Sequence, residues 1–203
     1  MPAIKLPNGK TLEARVSTKC GTTTVESIIC FPYTKKHMAR KASNVVRKLN
    51  KFSKSISTTD WHPDYKIAVV RDPVKRLASA YADRIAIKNK ENLQSTIKTW
   101  QDFLDNLQSL QENSDDILKH TRPQIHRLGT SVDYFDRIFS TKQLSNEFLS
   151  YMKDISGEII PQTIAHATKN NLTASIEITE KQIDFIKEFY AVDYKFYSNY
   201  FNQ

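Results

Sequence analysis

The sequence predicts an α/β fold in which a central, mostly parallel sheet is flanked by helices. Three observations carry that expectation. Short β-prone runs at residues 11–17, 65–70 and 134–139 alternate with segments of helical periodicity, the order that βαβ units produce. The run Tyr-Lys-Ile-Ala-Val-Val at 65–70 is nearly continuous in apolar and β-branched residues, as in a strand covered on both faces, and it stops abruptly at Arg71-Asp72-Pro73. A chain of 203 residues with 39% hydrophobic content is also long enough to bury a proper core, which predicts one domain over residues 1–203.

The elements follow in order. Residues 1–10 read as a loose tail ending in the Asn8-Gly9 turn, and residues 11–17 form the first strand. A polar break at 18–24 leads into a helix over 25–31, which Pro32 stops. Residues 34–54 are strongly basic (Lys35, Lys36, Arg40, Lys41, Arg47, Lys48, Lys51, Lys54) with a thin apolar stripe at Val45, Val46 and Leu49. They make a solvated helix or the face that receives an acidic substrate. Residues 53–60 are a polar loop. After the 65–70 strand, Pro73 suits the first helical position and Asp72 its cap. The helix then runs over about 73–88 with Val74, Leu77, Tyr81 and Ile85 on one face and Arg76, Ser79 and Asp83 on another. Residues 100–110 are amphipathic (Trp100, Phe103, Leu104, Leu107), His120 to Leu128 is a polar cluster with little core value, and 142–152 is helical. The aromatic-rich residues 179–200 form one or two helices that pack on the rest.

The net charge of +8 favours anionic partners. Cys20 and Cys30 suit a reduced compartment, and no disulfide is expected. Neither a signal-peptide pattern nor a run of ~18 apolar residues is visible, so a soluble, cytoplasmic protein without a membrane span is expected.

The chemistry concentrates at Lys19-Cys20-Gly21-Thr22-Thr23-Thr24, where a strand breaks at a glycine and re-enters a helix. Gly21 lets backbone approach a ligand, the threonines offer hydroxyls and amides, the helix N-terminus is electropositive, and Lys19 adds a full charge. An ordinary strand-to-helix turn with a threonine cap has the same pattern. The Lys19 segment is not a Walker A loop, because its lysine precedes the glycine by two positions instead of following it. A second phosphate site is offered by Arg71 at the end of a central strand and Ser79 about two turns into the next helix. In a parallel sheet both sites fall on the carboxyl edge, which suits a nucleotide phosphorylated at both ends of its ribose.

With these residues in view the chain resembles the sulfotransferases that use 3′-phosphoadenosine 5′-phosphosulfate (PAPS), and within them the carbohydrate branch. The Lys19–Thr24 stretch resembles their 5′-phosphosulfate loop. Val70-Arg71-Asp72-Pro73-Val74-Lys75-Arg76-Leu77-Ala78-Ser79-Ala80-Tyr81 resembles their 3′-phosphate motif and is the more specific match. His120-x-x-Pro123-Gln124 and Tyr190-x-x-Asp193-Tyr194 resemble later family segments. The resemblance implies a P-loop-like three-layer fold, PAPS as co-substrate and adenosine 3′,5′-bisphosphate as product. It also implies a sugar or other hydroxyl acceptor, with an acidic glycan suited to the basic surface, and no need for a metal.

Sulfuryl transfer needs in-line alignment, charge stabilisation on the leaving oxygen and a base for the acceptor proton. The resemblance assigns the first two needs to Lys19 (catalytic and nucleotide-binding), to Cys20, Gly21, Thr22, Thr23 and Thr24 for the 5′ end, and to Arg71 and Ser79 for the 3′ end. Family bases of this branch lie between the two motifs, which leaves His37 and His62, and His37 is favoured. Glu26 is a further candidate, disfavoured by its place inside the first helix. His120, Arg122 and Gln124 are candidates for acceptor binding. Two other classes compete: a P-loop-like nucleotide kinase or NTPase, against which the missing Gly-Lys-Ser/Thr tells, and a basic nucleic-acid-binding domain, for which no reading motif is present.

Overall fold

The computed structural model describes residues 3–35, 62–89, 93, 95–161, 173 and 175–203. The basic 34–54 segment beyond Lys35, the 53–60 loop and the candidate base His37 therefore lie outside the described residues. In chain order the main elements are β1 (Ala3–Lys5), β2 (Thr11–Val16), α1 (Thr22–Thr34), β3 (Tyr65–Val70) and α2 (Pro73–Tyr81). Next come a π-helical segment (Ala82–Ile87), α3 (Trp100–Asp105), α4 (Leu107–Asn113), α5 (Asp115–Thr121), α6 (Ile125–Leu128) and β4 (Arg137–Ser140). The chain closes with α7 (Glu147–Ser156), α8 (Glu180–Phe189) and α9 (Ala191–Tyr197).

One four-stranded sheet has the order β1-β2-β3-β4. β2, β3 and β4 run parallel, with Val16 beside Val69 and Val70 beside Ser140, whereas β1 is antiparallel to β2. Alternation along β3 shows that both faces are covered. Ile67 and Val69 pack with α1 and α7 through Ile28, Phe148 and Met152. Ala68 and Val70 pack instead with Leu128 of α6, Tyr197 of α9 and Phe201. The α/β expectation holds, with helices on each side of a mostly parallel sheet. A separate all-helical cluster is built on Leu77, Tyr81, Phe103, Leu107, Ile186 and Tyr190.

Several boundaries differ for physical reasons. Residues 3–5 are a strand and not part of a loose tail, because β2 leaves an edge that β1 can pair and Ile4 can bury (2% exposed). Pro32 does not stop α1; it costs the amide of the last turn only, and the helix closes at Lys35, whose φ of 49° lets its amide reach the Phe31 carbonyl. The 73–88 helix starts as expected, with Pro73 at the first position and Asp72 accepting from the Lys75 amide at 3.1 Å, but it widens into the π segment after Tyr81. The 100–110 helix breaks at Asn106, the strand expected over 134–139 is β4 and begins at Arg137, and a 3₁₀ turn (Thr141–Ser145) precedes α7.

Candidate functional site

The three parallel strands end on one edge, and the residues that follow them meet there. After β2 the chain makes a tight loop in which the Cys20 amide donates to the Ser17 carbonyl at 3.2 Å. Lys19 (φ 65°) and Gly21 (φ 73°) both adopt left-handed backbone. Gly21 also has no room for a side chain, since a Cβ would lie 2.5 Å from Leu144 Cδ1 in the turn after β4. α1 starts immediately, so the first-turn amides of the Gly21–Thr23 region face out of the helix N-terminus with its partial positive charge. The Thr22 hydroxyl donates to the Ser17 carbonyl at 3.2 Å, Thr23 is exposed and Thr24 is buried.

Arg71, at the end of the adjacent strand, reaches the same loop. Its Nη1 donates to the Lys19 carbonyl at 2.9 Å, which fixes the left-handed turn from outside. Ser79 is half-buried on α2. Thus the geometry brings Lys19, Gly21, Thr22, Thr23 and Arg71 to one edge.

Lys19 is the most constrained charge at the site. Its Nζ donates to Asp83 Oδ2 at 2.5 Å, and the two side chains are only 18% and 20% exposed. Burial lowers the Lys19 pKa below its ordinary value, and the Asp83 bond only partly offsets that. Burial pushes the Asp83 carboxyl up, but hydrogen bonds from Lys19 and Lys88 outweigh it and bring it down to about 2.

Beneath the loop lies a polar core that the sequence did not reveal. Gln124 is fully buried, and each end of its amide is engaged. Oε1 accepts from the Cys20 thiol (3.1 Å) and the Arg71 amide (3.1 Å), and Nε2 donates to the Arg71 carbonyl (2.8 Å). The Gln124 and Ile125 amides donate to the buried Asp193 carboxylate at 2.8 and 3.0 Å. Arg76 is fully buried as well and donates to the carbonyls of Thr18 (3.2 Å), Thr121 (3.4 Å) and Arg122. The segment at 120–128 is therefore a structural hub, contrary to its expected small core value. The sequence signal for it was Arg76 and Asp193 standing on otherwise packing helices.

Cys20 faces the interior with its thiol pushed up to about 11 by burial, so it can serve a ligand through its backbone only. Gln124 has no polar atom left for an acceptor. His120 is buried; its Nδ1 faces the Asp116 carbonyl at 2.7 Å and its Nε2 the Arg84 guanidinium, and burial lowers its pKa, so it stands as a neutral anchor for Arg84. Arg122 is half-buried and remains of the three. His62 is exposed three residues before β3, and the six residues of that strand, about 20 Å long, separate it from the carboxyl edge. Glu26 lies one turn beyond Thr22 on the same helix face. With Thr22 and Arg127 it lines a cavity of about 40 Å³ whose other walls are apolar, Ala14, Val16 and Val25 among them, and burial raises its pKa.

A mostly parallel α/β sheet with a helix N-terminus, a loop lysine and a neighbouring arginine at its carboxyl edge has P-loop-like architecture. The particular family is fixed by comparison: a model described as the sulfotransferase family matches residues 14–200, and the chain belongs to that family. Its members are transferases that move sulfuryl groups. Neither a curated protein nor a solved structure matches the chain. No helix among the described residues is long and apolar enough to cross a membrane.

Proposed function

We propose that the protein transfers a sulfuryl group from PAPS to a hydroxyl of a carbohydrate. The observation that carries this reading is the convergence of the Lys19 loop and Arg71 on one edge, bonded to each other through the Lys19 carbonyl. The α1 N-terminus with Gly21, Thr22, Thr23 and Thr24 holds the 5′-phosphate. Arg71 and Ser79 hold the 3′-phosphate. The acceptor oxygen attacks sulfur, a new O–S bond forms, and the bridging S–O bond to the 5′-phosphate breaks. Lys19 neutralises the charge left on that phosphate, and adenosine 3′,5′-bisphosphate departs.

The acceptor proton goes to His37. Glu26 is the alternative base, favoured by its raised pKa and its place one turn from Thr22. Arg122 and the excess positive charge of the chain suit an acidic glycan.

Incubating the enzyme with ³⁵S-labelled PAPS and a panel of desulfated and sulfated glycans tests the reaction. Label on a glycan hydroxyl is expected, with transfer lost in His37→Ala while adenosine bisphosphate binding persists. Transfer retained in His37→Ala but lost in Glu26→Gln reassigns the base. Label on no glycan, with transfer to small alcohols or to peptide tyrosine, overturns the carbohydrate assignment.

A further inference from the structure

Asp83 lies outside the two phosphate motifs, yet it holds the ammonium of the loop lysine. It enters from the π-helical segment, one helical turn beyond Ser79, and π segments inside α-helices frequently mark functional positions. Its two oxygens are divided between two lysines. Oδ2 takes the Lys19 ammonium at 2.5 Å, and Oδ1 takes that of Lys88 at 2.7 Å. Arg84 Nε stands 3.4 Å from Oδ2 and is buried without a hydrogen-bond partner among the described residues.

This arrangement answers two requirements that a phosphate-binding lysine faces. With no nucleotide present, a mostly buried ammonium needs a counter-charge to stay protonated and in place. With nucleotide present, that ammonium must leave its carboxylate, and the carboxylate must not be stranded as an uncompensated charge. Lys88 and Arg84 supply that second condition, since they remain beside Asp83 after Lys19 has gone. The Lys19 backbone does not need to move, because Arg71 holds its carbonyl.

We propose that Asp83 is a positioning residue for the transfer reaction. Its carboxylate holds the Lys19 ammonium at the mouth of the loop in the nucleotide-free enzyme and surrenders it to the donor's phosphates. This rests on the reading of the donor as PAPS. Among the described residues, the charged and titratable groups facing Lys19 are Asp83 and Arg84 from the π segment, Lys88 just after it and the neutral His120 from α5, with Asp116 beyond Arg84 and Arg71 on the Lys19 carbonyl. Among these Asp83 alone is a carboxylate in contact with Lys19, so removing it lowers the Lys19 pKa further and removes the competitor for its ammonium.

The test compares wild type, Asp83→Asn and Asp83→Glu, all checked for folding by thermal melting. Adenosine 3′,5′-bisphosphate is titrated calorimetrically between pH 7 and 10, and acylation of Lys19 by acetic anhydride at pH 8 is followed by peptide mass spectrometry without nucleotide. Asp83→Asn is expected to bind the bisphosphate roughly 3–10-fold tighter at pH 7, the range of a partly buried charge competition. It should also lose that affinity at lower pH than wild type and acylate several-fold faster at Lys19. Asp83→Glu should restore all three. Unchanged acylation and unchanged affinity in a folded Asp83→Asn overturn the proposal, as does weaker binding at every pH that Asp83→Glu fails to rescue. If wild type does not bind the bisphosphate, the donor reading fails instead, and the acylation arm still decides whether Asp83 holds Lys19.

Discussion

Replacing Gly21 by alanine isolates the geometric requirement of the loop. The backbone there has φ 73°, a conformation that costs an L-residue about 1 kcal/mol or more. The added Cβ would also meet Leu144 Cδ1 at 2.5 Å, about 1 Å inside ordinary carbon contact. Leu144 is 5% exposed and belongs to the core cluster with Ile28 and Phe148, so it escapes only by leaving its rotamer, at about 0.5–1.5 kcal/mol. The sum is about 2–3 kcal/mol. At about 2–4 °C per kcal/mol for a chain of this size, the melting temperature should fall by about 4–12 °C. Circular dichroism melts of Gly21→Ala, Leu144→Ala and the double variant separate the two contributions. Removing Leu144 abolishes the clash but leaves the φ penalty, so the cycle should show coupling of about 1 kcal/mol. A single variant that melts within about 1 °C of wild type, or a cycle that is strictly additive, would show that neither the left-handed backbone nor Leu144 demands glycine at position 21.

Two further outcomes follow from the buried polar groups. Arg76→Met removes the donor for three carbonyls and should destabilise the fold by about 3–5 kcal/mol in chemical denaturation, the cost typical of breaking a buried charged network. A loss below about 1 kcal/mol would assign those carbonyls other partners. The Asp83 carboxyl titrates near 2 in the folded chain against an ordinary 3.8, so its contribution to stability is present above about pH 4 and is lost as pH falls through about 2. At about 1.4 kcal/mol per tenfold change in proton affinity that contribution is on the order of 2 kcal/mol. Denaturation curves at stepped pH should therefore fall more steeply between about pH 4 and 2 for wild type than for Asp83→Asn, and parallel curves would contradict the pairing.

The parts of this fold that were legible from sequence are those whose signals are local. The apolar run of β3, the Asp72 cap, Pro73 and the Leu77, Tyr81, Ile85 stripe all stand where periodicity and capping put them. The 180–197 helices follow the same rule, although Phe185 stays 41% exposed. What escaped depends on partners distant in sequence. β1 exists because β2 offers an edge, and Gln124 is a core residue because Cys20, Arg71 and Asp193 converge on it from three other segments. No spacing rule links Lys19 to Asp83 across 64 residues, and only the turn of the chain after β2 and the widening after α2 bring them together. At the candidate site, the glycine loop and Arg71 could be read as neighbours because parallel strands deliver their ends to one edge. That Arg71 grips the loop backbone, and that His120 is engaged at both nitrogens, required side-chain geometry.

On the proposed function, the carboxyl edge accepts a nucleotide phosphorylated at both ends of its ribose. Thermal unfolding of the purified chain with adenosine 3′,5′-bisphosphate, and in parallel with ATP plus Mg²⁺, tests it most directly. Metal-independent stabilisation is expected that grows with bisphosphate concentration as mass action requires and that is strongly weakened in Arg71→Ala. Stabilisation by Mg-ATP equal to that by the bisphosphate, or none by the bisphosphate at all, would contradict it.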